Sequence, residues 1–332
     1  MNYEKLDKSN LRQLIIDYPN QLDIGQKFAG NISIPEKEYS NFIICGMGGS
    51  AIPGEMLISY LINNQDVPFT IPSYLVRGYT LPPIANANSL VFISSYSGNT
   101  EETLACFDDA LKHKATIISF SSGGKVEQIS KEYGIPHVKF DLKHENFQPR
   151  YATTYSFAAM QQILTNSGLC GNLEKLPKID SKSFEVRGEE LAKKGLNKTQ
   201  IVYASSRFKF LAKLWKIKLN ENSDTQAFWN YFPELDHNEL EGFSMPRTPF
   251  KVTILKDQDD HERNKRRMEI TNEFYQNWGI DCEIIDLSGK TYLEKFINGM
   301  LLGDWYSYYL ALEYGIDPSP SDVIEKFKKR LG

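Results

Sequence analysis

Short apolar runs alternate with helical patterns along this chain, and this alternation constrains the fold more than any other feature. In residues 41–64, a run of four apolar residues meets a glycine-rich turn and then a helical pattern. Short runs without polar alternation are typical of strands buried on both faces. Similar strand patterns lie at residues 69–78, 89–95, 115–120 and 137–142, with helical patterns at 99–113, 125–134 and near 150–167. The sequence therefore predicts an α/β fold with a doubly wound, flavodoxin-like parallel sheet.

The same pattern restarts in the second half, after a polar stretch at residues 168–183 that contains Gly and Pro. This stretch is the best linker candidate. Strands are predicted at residues 199–206, 250–257 and 282–288, and helices at 207–221, near 260–278, at 291–314 and at 319–331. We therefore predict two doubly wound α/β domains, at residues 1–167 and 181–332, with an amphipathic helix around residues 8–28 opening the first.

The composition argues against several classes of protein. Of 332 residues, 41% are hydrophobic, and the net charge is −4 without a strongly basic block. Such a chain can bury a sizeable core, but it is not suited to large-scale binding of nucleic acid or anionic membrane. No run approaches the roughly 18 apolar residues that span a bilayer, and the charged N-terminus lacks a signal core. With four widely spaced cysteines and no CxxC, these features predict a soluble cytoplasmic protein.

The glycine turn after the first predicted strand allows two interpretations. Gly46, Gly48 and Ala51 stand at the spacing of the dinucleotide fingerprint. A nucleotide site also needs an acid at the end of the second strand, but Asp66 precedes that strand and Arg77 ends it. No lysine follows the glycines, so the Walker pattern is absent too. An NADP-type cofactor site is therefore the weaker interpretation, and a backbone nest for phosphate is the stronger one.

Hydroxyl groups accumulate where the third predicted strand ends, in the stretch "SSYSGNT". Ser95, Ser97 and Thr100 can each donate a hydrogen bond to an anionic oxygen. The plain alternative is that Ser97 or Asn99 only caps a helix. In an open parallel sheet, ligands bind beyond the carboxyl ends of the strands, and this stretch and the glycine turn with Ser50 both lie at such ends. The two loops together favour a phosphate site.

Several motifs resemble one family. The stretches "GMGGSAIPGE" and "SYSGNTEET" are similar to sugar isomerase (SIS) domains, and further motifs narrow the resemblance to the bifunctional phosphoglucose/phosphomannose isomerase family. These are "LNEN" at 219–222, "ELDHNELEG" at 234–242, "GDWYSYYLAL" at 303–312 and "GIDPSPSDVIEKFKKRL" at 315–331. The resemblance covers the whole chain. It implies two SIS-type domains and the interconversion of aldose and ketose 6-phosphates without a metal or a redox cofactor.

The resemblance also implies roles for individual residues, in two groups. The group that binds the substrate phosphate is the backbone of Gly49 and the hydroxyls of Ser50, Ser95, Ser97 and Thr100. The catalytic group is Glu221 as general base, Arg150 beside the reacting carbons, His237 for ring opening, and Lys328 as the C-terminal lysine.

The C-terminal lysine is chosen from three neighbours. Lys326, Lys328 and Lys329 crowd together, and the family pattern of two apolar residues before the lysine favours Lys328. A solvated helix face is the alternative for each of the three. Ser321 stands seven residues before Lys328, and its small side chain is compatible with the use of both C2 epimers.

Isomerisation chemistry calls for the same residue types independently of the resemblance. A proton must move between C2 and C1 through a cis-enediol, and a carboxylate such as Glu221 can carry it. Negative charge develops on the enediolate oxygens, and a fixed guanidinium such as that of Arg150 stabilises it. A histidine suits the proton transfers of ring opening. The family resemblance implies a homodimer in which His237 serves the neighbouring subunit's site. A sugar-phosphate sensor without catalysis is the rival hypothesis, and the intact Glu221, Arg150 and His237 argue against it.

The remaining histidines and aromatic clusters have plainer interpretations. His261 lies in a charge run that is typical of a solvated helix face. His113, His137 and His144 lack the spacing of a metal site. The aromatics of "FWNYF" and "WYSYYL" stand at helical spacing, which predicts a core or a subunit interface. We therefore expect no metal site, and sugar 6-phosphates as the small-molecule partners.

Overall fold

A computed structural model describes residues 5–64, 69–142, 149–175 and 178–331. Asp66 and His144 lie outside these described residues. The chain divides into two compact units. The N-terminal unit is Asn20–Lys175, and the C-terminal unit combines Met1–Pro19 with Leu176–Gly332.

Strands and helices alternate through both units. The strands are β1 Asn41–Cys45, β2 Ser73–Val76, β3 Ser89–Ser94, β4 Thr116–Ser121, β5 His137–Lys139, β6 Thr199–Ser205, β7 Ala227–Phe232, β8 Phe250–Lys256 and β9 Asp281–Asp286. The α-helices are α1 Leu11–Asp17, α2 Gln21–Ala29, α3 Ile52–Asn63, α4 Glu101–Lys112, α5 Gly124–Glu132, α6 Thr153–Asn166, α7 Glu185–Gly195, α8 Lys209–Ser223, α9 Glu262–Asn277, α10 Tyr292–Glu313 and α11 Asp322–Leu331.

The N-terminal unit contains a five-stranded parallel sheet in the order β2-β1-β3-β4-β5. Every residue of β1 and β3 is buried, as expected for central strands covered on both faces. Ile43 and Val91 pack with Phe107 of α4 and Ile117 of β4 in the core of this unit. Strand β2 follows β1 in the chain and lies on one side of it, whereas β3 lies on the other side. The strand order therefore reverses between β1 and β3. This reversal is where such folds bind ligands.

The C-terminal unit contains a four-stranded parallel sheet in the order β7-β6-β8-β9. Its strand order reverses between β6 and β8. Ile201, Val252, Met268 and Tyr275 pack together in its core. The two parallel sheets with helical crossovers confirm the predicted fold class.

The segment "FWNYF" forms part of strand β7, so its interpretation as helical was wrong. Trp229 and Tyr231 pair with Val202 and Ala204 of β6. Aromatic residues have a high β propensity, and the available edge of β6 decides the structure of this short stretch. The second aromatic cluster does lie on a helix, α10, where Trp305, Tyr306 and Tyr308 are buried in the core as predicted.

The first 19 residues belong to the C-terminal unit, whereas the predicted N-terminal domain began at residue 1. The predicted single helix at 8–28 is interrupted by a 3₁₀ turn, Tyr18–Asn20, which contains Pro19. Before the turn, α1 packs against α10, and Ser181 Oγ donates a hydrogen bond to the carbonyl of Ile15. After the turn, α2 packs against α6 of the N-terminal unit.

Helix α7 was not predicted from the sequence. Its glycines let it lie close to α10, because a Cβ at Gly188 would come within 2.4 Å of the Trp305 side chain. Across the described ranges of the chain, the helices include none with the length and apolar character of a membrane span.

Candidate active site

The glycine turn after β1 contacts the end of β3 directly. A Cβ at Gly46 would lie 2.9 Å from the carbonyl oxygen of Ser50 and 3.0 Å from that of Ser94. Only glycine therefore allows this approach. Ser94 Oγ donates a hydrogen bond to the Ser50 carbonyl at 2.9 Å, and the Tyr96 N–H donates to Ser50 Oγ at 2.9 Å. Gly49 and Ser50 are thus held beside the hydroxyl-rich loop that follows β3.

The hydroxyl-rich loop, residues 95–100, is held by its own side chains. Ser95 is buried, and its Oγ lies 2.9 Å from Thr100 Oγ1. Ser97 is exposed, and its Oγ accepts a hydrogen bond from the Asn99 N–H at 3.3 Å. Thr100 occupies the N-cap position of α4 without a side-chain cap. Neither Ser97 nor Thr100 therefore caps α4 with its hydroxyl.

The turn that leads into α5 contacts the hydroxyl-rich loop. Gly98 has φ of +70°, and a Cβ there would lie 1.9 Å from the carbonyl oxygen of Gly123. The Val126 N–H donates to the Gly98 carbonyl at 3.0 Å, and the Lys125 N–H donates to Asn99 Oδ1 at 3.1 Å. Asn99 thereby satisfies an amide at the start of α5. The loop is rigidly placed, and Gly98 is required in it.

Arg150 belongs to the same part of the N-terminal unit. It lies in a 3₁₀ turn, Pro149–Tyr151, that packs against the turn Gly48–Ser50. The residue is only 3% exposed, and its guanidinium carbon is 5.1 Å from the centre of the Tyr151 ring. A small pocket lies here, lined by Gly49, Ser50, Ser94, Tyr96, Phe140, Ala152 and Ser156. The turn that carries Arg150 therefore lies against the glycine turn after β1.

Glu221 lies in the last turn of α8 in the C-terminal unit, where it is half-buried. Leu219, two residues before it, and Asn222, directly after it, are buried. The helix packs against β6, β7 and α10. The position of Glu221 is therefore set by a well-packed helix rather than by a loop.

His237 ends a 3₁₀ turn, Glu234–His237, that follows β7, and its side chain is exposed. The residue before it, Asp236, accepts hydrogen bonds from Arg267 at 2.9 Å and from Thr271 at 3.2 Å. Two residues after it, Glu239 accepts hydrogen bonds from Tyr203 and Asn230.

Burial raises the pKa of Tyr203 well above its ordinary value, so its hydroxyl stays a donor to Glu239. Leu235 is buried in the core of the unit. The segment "LDHNE" is therefore anchored on both sides of a histidine that faces solvent. This explains why acids flank His237 in the sequence.

Lys328 lies on α11 and is exposed, like Lys326 and Lys329. Its ammonium forms a 2.7 Å ion pair with Glu325, and this hydrogen bond lowers the pKa of the Glu325 carboxyl. Ser321 precedes the helix, and its carbonyl accepts a hydrogen bond from the Glu325 N–H at 3.0 Å. Burial does not distinguish Lys328 from its two neighbours.

The predicted residues thus fall into two groups. Six lie together at the carboxyl edge of the N-terminal sheet: Gly49, Ser50, Ser95, Ser97, Thr100 and Arg150. Four belong to separate elements of the C-terminal unit: Glu221, His237, Ser321 and Lys328. Among the described residues, no group of three or more His, Cys, Asp and Glu side chains is placed to hold a metal ion.

Sequence comparisons agree with this arrangement. A family model described as "Bacterial phospho-glucose isomerase C-terminal SIS domain" matches residues 184–331. The bifunctional phosphoglucose/phosphomannose isomerase of Aquifex aeolicus is 33% identical over 296 residues, which are 88% of this chain and 91% of that protein. The protein of the same name from Caldicellulosiruptor bescii is 32% identical over 337 residues, covering 96% of this chain and 97% of that protein. This chain belongs to the bifunctional phosphoglucose/phosphomannose isomerase family.

A solved structure supports the fold of this family member. The C-terminal domain of glucosamine-fructose-6-phosphate aminotransferase from Francisella tularensis superposes with a TM-score of 0.72 at 13% identity, covering 94% of this chain and 98% of that one. At this identity the match concerns the fold alone. The predicted family and the predicted pair of SIS-type sheets are both confirmed.

The C-terminal unit has its own strand reversal, and charged side chains fill it. Asp257, fully buried after β8, lies 2.5 Å from the Lys295 ammonium and 3.3 Å from the guanidinium of Arg207, which follows β6. Lys295 also pairs with Asp259. Ser205, at the end of β6, is buried. We call Arg207, Asp257, Asp259 and Lys295 the ion cluster.

Sequence reasoning missed two features near the predicted residues. Ser94 and Tyr96 join the two loops, and both stand in the quoted stretch "SSYSGNT". Lys218 and Asp304 form a buried ion pair one helical turn from Glu221. The sequence did indicate the ion pair, because Asp304 is an acid inside the aromatic stretch "GDWYSYYLAL".

Proposed function

We propose that this chain interconverts fructose 6-phosphate with glucose 6-phosphate and with mannose 6-phosphate, by proton transfer through a cis-enediol. The observation that carries the proposal is the contact between two hydroxyl-bearing loops and the turn of Arg150 in the N-terminal unit. Family membership supplies the reaction class. The reaction needs neither a metal nor a redox cofactor, since the proton only moves within one molecule.

The phosphate group would bind the two loops. The hydroxyls of Ser50, Ser95, Ser97 and Thr100 and the backbone N–H of Gly49 are donors of the kind that hold an anion. The Ser95–Thr100 hydrogen bond and the hydrogen bond from the Tyr96 N–H to Ser50, both 2.9 Å long, hold three of these hydroxyls in place before a ligand arrives. The loops themselves carry hydroxyls rather than cations, so the phosphate is recognised mainly by geometry.

The proton transfer would use Glu221 and Arg150. A carboxylate between C1 and C2 can remove the proton from one carbon and return it to the other. The buried guanidinium of Arg150 stabilises the charge of the enediolate oxygens, and it does so strongly because it is fixed in advance. Glu221 would be held in place by α8, which packs against β6, β7 and α10 of its own unit.

Ring opening would use His237 and Lys328. His237 is exposed on an anchored segment, which suits a residue that completes the site of a neighbouring subunit in a homodimer. Lys328 is exposed on α11 and forms an ion pair with Glu325. Ser321, next to this helix, would leave room for both C2 epimers. We infer a cytoplasmic, dimeric enzyme of this kind.

The test is an assay of fructose 6-phosphate with a chelator present, with glucose 6-phosphate and mannose 6-phosphate quantified separately. Wild type should form both products, and Glu221→Gln should lose activity by about 100-fold or more because the base is gone. Formation of glucose 6-phosphate as the single product would contradict the proposed dual specificity. Binding of a sugar phosphate without turnover would establish the sensor hypothesis instead, and binding of NADP would favour the oxidoreductase.

A further inference from the structure

Helix α10 contains a buried charge that the proposed function does not use. Asp304 lies within "GDWYSYYLAL", in a helix whose neighbouring residues are buried aromatic and aliphatic side chains. It is 0% exposed, and its Oδ1 lies 2.8 Å from the ammonium of Lys218, which is 1% exposed. The Lys218 ammonium also lies 5.7 Å from the centre of the Tyr18 ring. All three residues belong to the C-terminal unit.

A buried ion pair calls for an explanation other than stability. Removing two charges from water costs about as much as their attraction returns, and well-packed apolar residues often serve equally well. What an ion pair adds is a fixed register between two helices, because a charge has no good alternative partner in an apolar interior. The position of the pair along the helices therefore indicates what it does.

The two helices that the pair joins are packed unusually closely. A Cβ at Gly303 would lie 2.5 Å from Nε1 of Trp215, and a Cβ at Gly299 would lie 2.7 Å from the side chain of Leu211. Nε1 of Trp215 donates a hydrogen bond to the Gly299 carbonyl at 2.7 Å. With Ser307, these glycines form a row of small residues at every fourth position of α10, and α8 lies against this row.

Polar contacts to α10 flank Glu221 on both sides. Lys218 is one turn before Glu221 on α8 and reaches Asp304. Asn222 directly follows Glu221, and its Nδ2 donates a hydrogen bond to Ser307 Oγ at 2.9 Å. Glu221 lies between these two contacts, so the last turn of α8 cannot slide along α10.

We propose that Asp304 and Lys218, together with Ser307 and Asn222, are positioning residues for the carboxylate of Glu221. They act through the placement of α8 and do not touch the substrate. The inference rests on the proposed function, in which Glu221 is the general base. It assigns to "GDWYSYYLAL" a role in turnover rather than in substrate binding.

The first test replaces Asp304 by Asn and measures kcat and KM for fructose 6-phosphate at a temperature where circular dichroism shows a folded protein. A displacement of the base by about 1 Å should lower kcat about 100-fold while KM changes by less than about 3-fold. The matched control is Asp257→Asn. Asp257 is also 0% exposed and pairs with Lys295, which lies nine residues before Asp304 on α10, or about 13 Å away.

The control distinguishes positioning from general loosening. The control variant should lose stability but keep kcat within about 3-fold, because its ion pair is distant from Glu221. An equal loss of kcat in both variants would overturn the inference. Wild type without turnover would overturn the proposed function and the inference with it, whereas a normal kcat in Asp304→Asn would overturn the inference alone.

Two further variants keep the test decisive if Asp304→Asn does not fold. Ser307→Ala removes the hydrogen bond from Asn222 and the one that Ser307 Oγ donates to the Asp304 carbonyl within α10. It should lower kcat about 5-fold at unchanged KM, and an unchanged kcat would contradict the proposal. The double variant Lys218→Met with Asp304→Leu removes both charges and should melt close to wild type. A low kcat in this stable protein supports positioning, and a restored kcat would show that the pair is merely structural.

Discussion

In the N-terminal unit the strand order reverses between β1 and β3, and in the C-terminal unit it reverses between β6 and β8. The loops at the first reversal carry the hydroxyls of Ser50, Ser95 and Thr100. The loops at the second reversal carry Arg207, Asp257 and Asp259 of the ion cluster, in which Arg207 and Lys295 of α10 pair with Asp257. At the same position in two similar parallel sheets, one unit thus presents hydroxyl groups and the other contains ion pairs.

The difference teaches what makes such a place a binding site. Hydroxyl and amide donors fixed by one another keep spare capacity for an anion. An aspartate between two cations is already paired within the protein, so an internal ion pair occupies the same place. Topology therefore marks the position, and the side chains decide whether a ligand or an internal ion pair fills it.

The largest expected effect comes from removing hydroxyls at the first reversal. Ser95→Ala combined with Ser97→Ala should raise KM for fructose 6-phosphate more than about 100-fold, because each hydrogen bond to a charged group contributes about 1.5–3 kcal/mol. Steady-state kinetics would measure it. Ser205→Ala is the matched control, since Ser205 ends β6 at the second reversal, and its KM should equal that of wild type. An unchanged KM in the double variant would remove the phosphate site from these loops.

A smaller effect is expected from breaking the ion cluster. Lys295→Met leaves Asp257 buried with one cation fewer, and it should lower the free energy of unfolding by about 3 kcal/mol without changing KM. Urea unfolding followed by tryptophan fluorescence reports on the right unit, because all four tryptophans of the sequence lie in the C-terminal unit. The control is Lys193→Met, which breaks an exposed pair with Glu189 and should cost less than about 1 kcal/mol. Equal losses in the two variants would show that the cluster is not a buried support.

The smallest effect concerns pH. The hydrogen bond from Lys295 lowers the pKa of Asp259 below its usual 3.8. The folded state therefore favours the ionised carboxylate, and the stabilisation is present above pH 4 and is lost as the pH falls through the folded pKa. Because Asp259 is largely exposed, the contribution should be below about 1 kcal/mol.

This prediction is checked by comparing wild type with Asp259→Asn in urea at pH 7 and at pH 3. The stability difference between the two proteins should be visible at pH 7 and should be smaller at pH 3. A difference that stays constant across this range would mean that Asp259 and Lys295 do not interact in solution.

Much of the fold could be predicted because local patterns carried it. The unbroken apolar runs of β1, β3 and β6 and the helical spacing of α4 and α8 were sufficient for the two parallel sheets. The loops with Ser50 and Ser95 could be found because parallel strands end at one edge. Strand β7 could not be predicted, because its short aromatic stretch does not show a clear helical or strand periodicity. Its structure depends on pairing with β6.

The candidate site was predictable to a similar extent. Motifs identified the residue types around Glu221 and His237, but not the groups that hold them. The anchors of His237, Asp236 and Glu239, bind Arg267 and Tyr203, which lie about 30 residues away in the sequence. No local pattern encodes such pairs, since only packing brings them within hydrogen-bond distance.

The sequence by itself determined the class of fold, the family and the two loops with hydroxyls, because each depends on residues that are close in the chain. The tertiary structure alone decided that α1 joins the C-terminal unit, that the ion cluster fills the second reversal, and that Lys218 meets Asp304 beside Glu221. Those three outcomes depend on which helix faces are buried together. A buried ion pair is stable only where the fold places both charged groups next to each other.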